Sequence, residues 1–179
     1  EWGADSIRVG IGGGSICSTR LVTGHGMPTL ESVMECARTG HPTKIIADGG
    51  IKTSGDIVKA LAAGADFVMI GSMLAGTEET PGETFHSNTG KRYKVYRGMA
   101  SAEAQSDWRG KSSTPEGVAT TVAYKGEVAP ILDNLMGGIR SGFSYSGVRT
   151  LKEFQVKAKF IRQSNAGQIE SSTHIMRQK

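Results

Sequence analysis

The sequence predicts an α/β fold built from repeated strand–helix units, and three observations carry that expectation. The stretch Gly3-Ala4-Asp5-Ser6-Ile7-Arg8-Val9-Gly10 is echoed by Gly64-Ala65-Asp66-Phe67-Val68-Met69-Ile70-Gly71. Each copy reads as a glycine closing a helix, a tight turn, a short buried strand and a glycine at the strand's end. Three successive strands also end in glycine-rich loops with a polar group: Ser15 and Cys17, then Asp48, then Ser72. Finally, 25 glycines and only 6% aromatic residues among 179 suit a chain with many strand–helix turns. That length is enough for one domain with a real core.

Ser6–Val9 is the first strand. It runs into Gly12-Gly13-Gly14-Ser15-Ile16-Cys17-Ser18-Thr19-Arg20, which precedes a helix. Glycines let backbone N–H groups approach a bulky anion, because no side chain stands in the way. A cysteine near helix N-termini and beside Arg20 can have its thiolate stabilised. This is the chemistry of a nucleophile beside a phosphate cradle, although such a stretch alone also reads as a glycine-rich turn around a buried cysteine. After the flexible Thr23–Pro28, Thr29 is the expected N-cap of a helix. Leu30, Val33, Met34 and Ala37 fall at helical spacing, Cys36 lies on the core face, and Gly40 ends the helix. Lys44–Ala47 is the second strand and leads into Asp48-Gly49-Gly50. Thr53 or Ser54 caps the next helix, whose core face is Ile57, Val58 and Leu61 and whose C-cap is Gly64. Phe67–Ile70 is the third strand, ending in Gly71-Ser72. Such loops gather on one face in a closed barrel and at one edge of an open sheet.

Beyond Gly76 the pattern changes. Thr84–Phe85 and Tyr93–Tyr96 flank Ser87-Asn88-Thr89-Gly90 as a hairpin. Residues 101–117 are polar without a clear period, which suits either a mobile flap over a site or an ordinary surface loop. Val128, Ile131, Leu132 and Leu135 form a helical stripe ending at Gly137-Gly138. Thr150 and Glu153 make a capping box. Lys159–Arg162 reads as a last strand, and 163–179 as irregular and polar.

Composition narrows the function. The net charge is +4, with basic residues spread along the chain. No basic block with interleaved aromatics suggests a nucleic-acid partner, whereas a modest positive charge suits an anionic small substrate such as a nucleotide. Two cysteines make no disulfide framework, so a reducing, cytoplasmic setting is expected. No apolar run approaches a membrane span and no stretch reads as a signal peptide. The chain opens on Glu1 with what reads as the end of a helix running into a strand, so it is expected to be the C-terminal part of a longer protein.

Further motifs are Ile46-Ala47-Asp48-Gly49-Gly50, Met69-Ile70-Gly71-Ser72, Glu78–Gly82, Tyr96-Arg97-Gly98-Met99, Gly137-Gly138-Ile139-Arg140-Ser141 and Tyr145. With Gly12–Arg20 they make the chain, from about Gly3 to Ser172, resemble the C-terminal part of the IMP dehydrogenase/GMP reductase family. The resemblance implies a (β/α)8 TIM barrel. Ser6–Val9, Lys44–Ala47 and Phe67–Ile70 would be its strands six to eight, followed by a C-terminal flap (about 101–117) and a tail (about 163–179). The N-terminal half of the barrel would be absent from 1–179. Three strand–helix units cannot close a barrel, so that missing half is an expected partner.

The resemblance also assigns residues. Cys17 would be the nucleophile that attacks purine C2, and Thr19 the catalytic threonine. Ser15, Asp48, Gly49, Gly50, Met69, Gly71, Ser72, Tyr96, Gly98, Met99 and Ala100 would bind GMP or IMP. The backbone carbonyls of Gly12, Gly14 and Cys17 would face potassium, with Glu170, Ser171 and Ser172 reaching that ion from a neighbouring subunit of a homotetramer. Three positions depart from the family's usual residues: Gly13 for Pro, Ser18 for Thr and Thr29 for Gln.

The family has two branches. The dehydrogenase oxidises IMP to XMP with NAD, and a long flap carrying an Arg-Tyr pair activates the water that frees the cysteine adduct. Here Ser101 to Glu116 is short and has no such pair. Glu116, within Pro115-Glu116-Gly117, instead matches the reductase's catalytic glutamate. In that branch GMP loses ammonia to form the Cys17 adduct, NADPH delivers hydride to C2, and Thr19 with Glu116 shuttles the proton. The tail, Ser164–Ser171, looks closer to the dehydrogenase. Because the flap is tied to the chemical step, the expectation is an NADPH-dependent GMP reductase. The alternatives are an NAD-dependent IMP dehydrogenase and, in another class, a non-catalytic nucleotide-binding half of a split barrel.

Overall fold

The apolar runs of the first two-fifths form a three-stranded parallel sheet in the computed structural model, which describes residues 3–173. The chain passes through β1 (Ser6–Val9), α1 (Thr19–Thr23), α2 (Thr29–Arg38), β2 (Lys44–Asp48), α3 (Ser54–Ala62) and β3 (Phe67–Met69). The sheet order is β1-β2-β3, with Arg8 opposite Ile46 and Asp48 opposite Met69. Val9, Ile45 and Ala47 from the strands meet Val33, Ala60 and Ala65 in one buried cluster, and Cys36 packs against it as expected. Thr53 caps α3 in a full capping box with Asp56. The cap of α2 differs from expectation: Pro28 precedes the helix and Thr29 is its first residue. Proline at that point fixes the entry angle, and the Thr29 hydroxyl turns to the Asp48 carbonyl at 3.5 Å.

The remainder adds β4 (Thr84–His86), β5 (Arg92–Arg97), α4 (Ala102–Arg109), β6 (Ala119–Ala123), α5 (Ala129–Tyr145), α6 (Leu151–Lys157) and α7 (Asn165–Glu170). β4, β5 and β6 form an antiparallel sheet in that order, and the expected hairpin joins its first two strands. Lys94 ties this sheet to the segment before it. The side chain is buried, and Nζ donates to the carbonyls of Glu78 (2.9 Å) and Thr80 (2.6 Å).

Several expectations are corrected. The segment 101–117 begins with α4 rather than a featureless loop. Only Ala104 and Gln105 of that helix are buried, too few apolar positions to leave a period in the sequence. β6 was not expected, because Ala119-Thr120-Thr121-Val122-Ala123 is weakly apolar and gains its place from pairing with β5. α5 does not stop at Gly137-Gly138 but continues to Tyr145. The glycines there serve packing: a Cβ at Gly138 would lie 2.1 Å from Ser54 Oγ, and one at Gly142 2.8 Å from the Val58 methyls. α3 thereby lies close against α5, and Ile57, Leu135 and Ile51 close a second core cluster. Lys159–Arg162 is not a strand and pairs with no strand among the described residues. The tail holds α7, capped by Ser164, whose hydroxyl accepts the N–H of Gly167. Residues 174–179 lie outside the described residues.

Candidate functional site

The loops at the C-terminal ends of β1, β2 and β3 meet at one edge, and glycine makes the meeting possible. Gly10 has φ +125°, and a Cβ there would sit 2.1 Å from the Asp48 carbonyl oxygen. Gly49 has φ +94°, and a Cβ there would sit 2.6 Å from the carbonyl carbon of Gly13. Backbone packs on backbone, so the cysteine loop rests directly on Asp48-Gly49-Gly50.

A short ladder then brings a distant acid to the thiol. Ser18 N–H donates to the Glu116 carbonyl (2.9 Å) and Val118 N–H to the Ile16 carbonyl (3.0 Å). On the other side, Glu116 N–H donates to the Ala100 carbonyl (3.0 Å) and Gly98 N–H to the Val118 carbonyl (3.1 Å). Residues 116–118 are thus threaded between the cysteine loop and 98–100. The side chains follow: Cys17 Sγ lies 3.2 Å from Thr19 Oγ1, and Thr19 Oγ1 donates to Glu116 Oε2 at 2.8 Å. A hydroxyl both donates and accepts, so it can pass a proton between its neighbours. Thiol, hydroxyl and carboxylate in this order form a proton path ending at a nucleophile.

Cys17 and Glu116 open onto a cleft of about 490 Å³, which Gly12, Gly14, Asp48, Tyr96, Gly98, Met99 and Ala100 also line. A contiguous hollow of about 130 Å³ shares Gly14, Asp48 and Tyr96 and adds Ser15, Gly49, Gly50, Met69, Gly71 and Ser72. The structure therefore gathers every residue expected to bind nucleotide around two joined cavities. Thr19 stands behind them, in contact with Cys17 and Glu116. In the smaller hollow, Ser15 Oγ and Tyr96 Oη are 3.4 Å apart, and Tyr96 Oη lies close over Gly71. Hydroxyl side chains and glycine-rich turns lining one hollow are suited to a phosphate.

Two cations of this site were missed in the sequence. Arg8 lines the larger cleft and pairs with Asp48 Oδ2 at 2.7 Å. Arg8 is opposite Ile46 in register, so it shares a sheet face with Asp48 two residues on. The signal was the strand echo, in which Arg8 occupies the place of Met69, itself a lining residue of the smaller hollow. Lys125 lies 53 residues beyond Ser72 in sequence, and no short motif could have joined them. Its Nζ donates to the carbonyls of Ser72 (2.8 Å) and Met73 (3.0 Å) and so braces the Gly71–Ala75 turn. Burial pushes its pKa down.

The potassium residues are split. The carbonyls of Gly12 and Cys17 accept no hydrogen bond from the described residues, and that of Gly14 accepts one, from Cys17 N–H. Three carbonyls with free lone pairs in one loop fit the oxygen ligands of a hard cation. Glu170, Ser171 and Ser172 lie at and just beyond the end of α7 and line neither cavity. The Ser171 hydroxyl donates to the Gly167 carbonyl (2.8 Å) and that of Ser172 to Ile169 (2.6 Å). Among the described residues, no cluster of three His, Cys, Asp or Glu side chains could hold a metal, and no helix is long and apolar enough to cross a membrane.

The sequence and the fold also match known proteins. A family model described as IMP dehydrogenase / GMP reductase domain matches residues 1–174. An inosine-5'-monophosphate dehydrogenase of Nitrosopumilus maritimus is 50% identical over 186 residues, which cover 96% of this chain and 39% of that protein. A GMP reductase of Leishmania major is 50% identical over 184 residues, covering 96% and 37%. Among solved structures, a cysteine-to-alanine variant of GMP reductase from Trypanosoma brucei, in complex with guanosine 5'-monophosphate, aligns with a TM-score of 0.89. Its sequence is 47% identical, and the match covers 96% of this chain and 37% of that one. The chain thus spans under two-fifths of the length of these relatives.

Proposed function

The chain belongs to the IMP dehydrogenase/GMP reductase family, and from that premise we propose that it carries the nucleotide and thiol chemistry of a GMP reductase. The reaction is the NADPH-dependent reductive deamination of GMP to IMP and ammonia. The observation that carries this reading is the Cys17–Thr19–Glu116 path, with contacts of 3.2 and 2.8 Å. Relatives of both names match equally well, so overall identity does not favour either branch. The path does, because a carboxylate joined to the thiol through one hydroxyl supplies what loss of ammonia needs. No Arg-Tyr pair for activating water occurs between Ser101 and Glu116.

In this mechanism Asp48 accepts the ribose hydroxyls, and Ser15, Tyr96 and the Gly71-Ser72 turn hold the phosphate. Gly98, Met99 and Ala100 border the base. The Cys17 sulfur attacks C2, a C–S bond forms, and the amino group departs as ammonia. The thiol's proton leaves with that amine by way of Thr19 and Glu116. NADPH, when bound, supplies the hydride that replaces sulfur at C2. The exposed Ile11 and Met99 at the lip of the cleft suit the apolar face of a nicotinamide ring. The carbonyls of Gly12, Gly14 and Cys17 would hold a potassium ion that stiffens the loop. A homotetramer in the reducing cytoplasm would bring Glu170–Ser172 of a neighbouring subunit toward it. β1, β2 and β3 would be strands six to eight of a (β/α)8 barrel completed by segments outside 1–179.

The test uses the full-length protein. Loss of reduced-nicotinamide absorbance is followed with GMP plus NADPH, and its gain with IMP plus NAD. Consumption with GMP is expected, and Glu116→Gln should lower that kcat about 10²–10⁴-fold with KM within a few-fold. Turnover of IMP alone would move the assignment to the dehydrogenase, the reading that the Ser164–Ser171 tail favours. Tight GMP binding without turnover in either assay would leave a nucleotide-binding half.

A further inference from the structure

Gln105, on α4, touches neither cavity, yet it grips the segment that delivers Glu116. It is 6% exposed, beside the fully buried Ser101. Its Nε2 donates to the Ala100 carbonyl at 3.0 Å, and its Oε1 accepts the Ser113 N–H at 2.9 Å. Only this orientation of the amide satisfies both ends, since the flipped amide would set oxygen against carbonyl oxygen and N–H against N–H. The same Ala100 carbonyl accepts the Glu116 N–H at 3.0 Å. Between Ser113 and Glu116 lies Thr114, with φ +28°, a value that non-glycine residues rarely adopt. Gln105 therefore holds residues 113–116 at both ends, directly at Ser113 and through Ala100 at Glu116.

We infer that Gln105 is a positioning residue that sets the Glu116 carboxylate against Thr19 and thereby controls the proton-dependent step without taking part in nucleotide binding. The inference rests on the reductase reading, in which Glu116 moves the proton. A strained backbone relaxes unless its surroundings hold it. Release of 113–116 would lengthen the 2.8 Å contact between Thr19 and Glu116, and a misplacement of about 1 Å costs about 10²-fold in rate.

The experiment compares Gln105→Leu and Gln105→Glu in the full-length enzyme. The glutamate keeps the size and the acceptor for Ser113 but cannot donate to Ala100, so it serves if the leucine variant does not fold. Both are expected to lower kcat with GMP about 10- to 100-fold, with KM for GMP moving less than about threefold. In a Glu116→Gln background the same substitutions should change kcat no further, because no carboxylate remains to be positioned. A merely structural role would lower kcat by the same factor in both backgrounds. Such additivity, an unchanged kcat, or a KM that rises in step would overturn the inference. If the unsubstituted enzyme does not reduce GMP, the functional reading falls and this inference falls with it. Unaffected Gln105 variants of an active reductase would remove the inference alone.

Discussion

Asp48 has two tasks at the end of β2. One oxygen accepts Arg8 at 2.7 Å, and the carboxylate borders both cavities. A carboxylate can accept several hydrogen bonds, so Arg8 can orient it while a ribose diol binds it. Binding of that kind is equal in the ground and transition states. Asp48→Ala should therefore raise KM for GMP about 10- to 100-fold, the worth of hydrogen bonds to a charged group, with kcat changed less than about threefold. Steady-state kinetics checks this, and an equal fall in kcat would move Asp48 into the chemical step. At this scale the resemblance pointed to Cys17, Thr19 and Glu116, and the structure brings the three side chains into contact. Arg8 and Lys125 were not legible in the sequence, because each acts on a partner fixed only by strand register or by a distant loop. A buried glutamine in a polar helix looks like any solvated glutamine until the carbonyl it holds is known.

The helices show what periodicity can and cannot reveal. The capping boxes at Thr53 and Thr150 form as their spacing requires, while the glycine pair in α5 misled, since glycine reads as a helix end. Its use here is the close approach of α3, which a single sequence does not display. Gly142→Val should clash with Val58, which a Cβ alone would already meet at 2.8 Å. Overpacking of this kind costs about 1–3 kcal/mol, to be read as a lower urea midpoint of the full-length protein. Asp66, in the turn before β3, gives a pH-dependent case. Burial alone would raise its pKa, but the hydrogen bonds from Lys44 Nζ (2.8 Å) and the Ile45 N–H (3.0 Å), with the lysine's charge, outweigh it. The carboxyl is therefore held below its ordinary 3.8. A depressed folded pKa contributes stability that is complete above the ordinary value and is lost as pH falls through the folded one. Asp66→Asn should melt lower than the unsubstituted protein at neutral pH. The gap should close in acid as the carboxylate of the unsubstituted protein takes up its proton, and melting curves across pH measure it.

At the scale of the molecule, the parallel sheet was readable from the strand echo, whereas the partners of its edges were not. β1 and β3 are its outer strands, and each has an edge with no partner strand among the described residues. Ile7, Phe67 and Met69 are 39%, 58% and 43% exposed, although parallel sheets are ordinarily covered on both faces. Open edges beside exposed apolar side chains are templates for pairing with another chain. In the barrel reading those edges and faces meet the other strands, and the relatives are long enough to supply them, since the chain spans under two-fifths of their length. Residues 1–179 expressed alone should therefore self-associate. Light scattering after size exclusion should show a broad range of masses, and amides of β1 and β3 should exchange quickly with solvent. Co-expression with the remaining strands should yield one defined species with those amides protected. Nucleotide should bind to that species far more tightly than to the lone chain, because in the barrel reading the strands that end at Asp48 and Gly71-Ser72 gain the neighbours that hold them in place. A monomeric 1–179 that melts cooperatively and protects both edges would refute the barrel reading, and the site would then have to work on an open sheet.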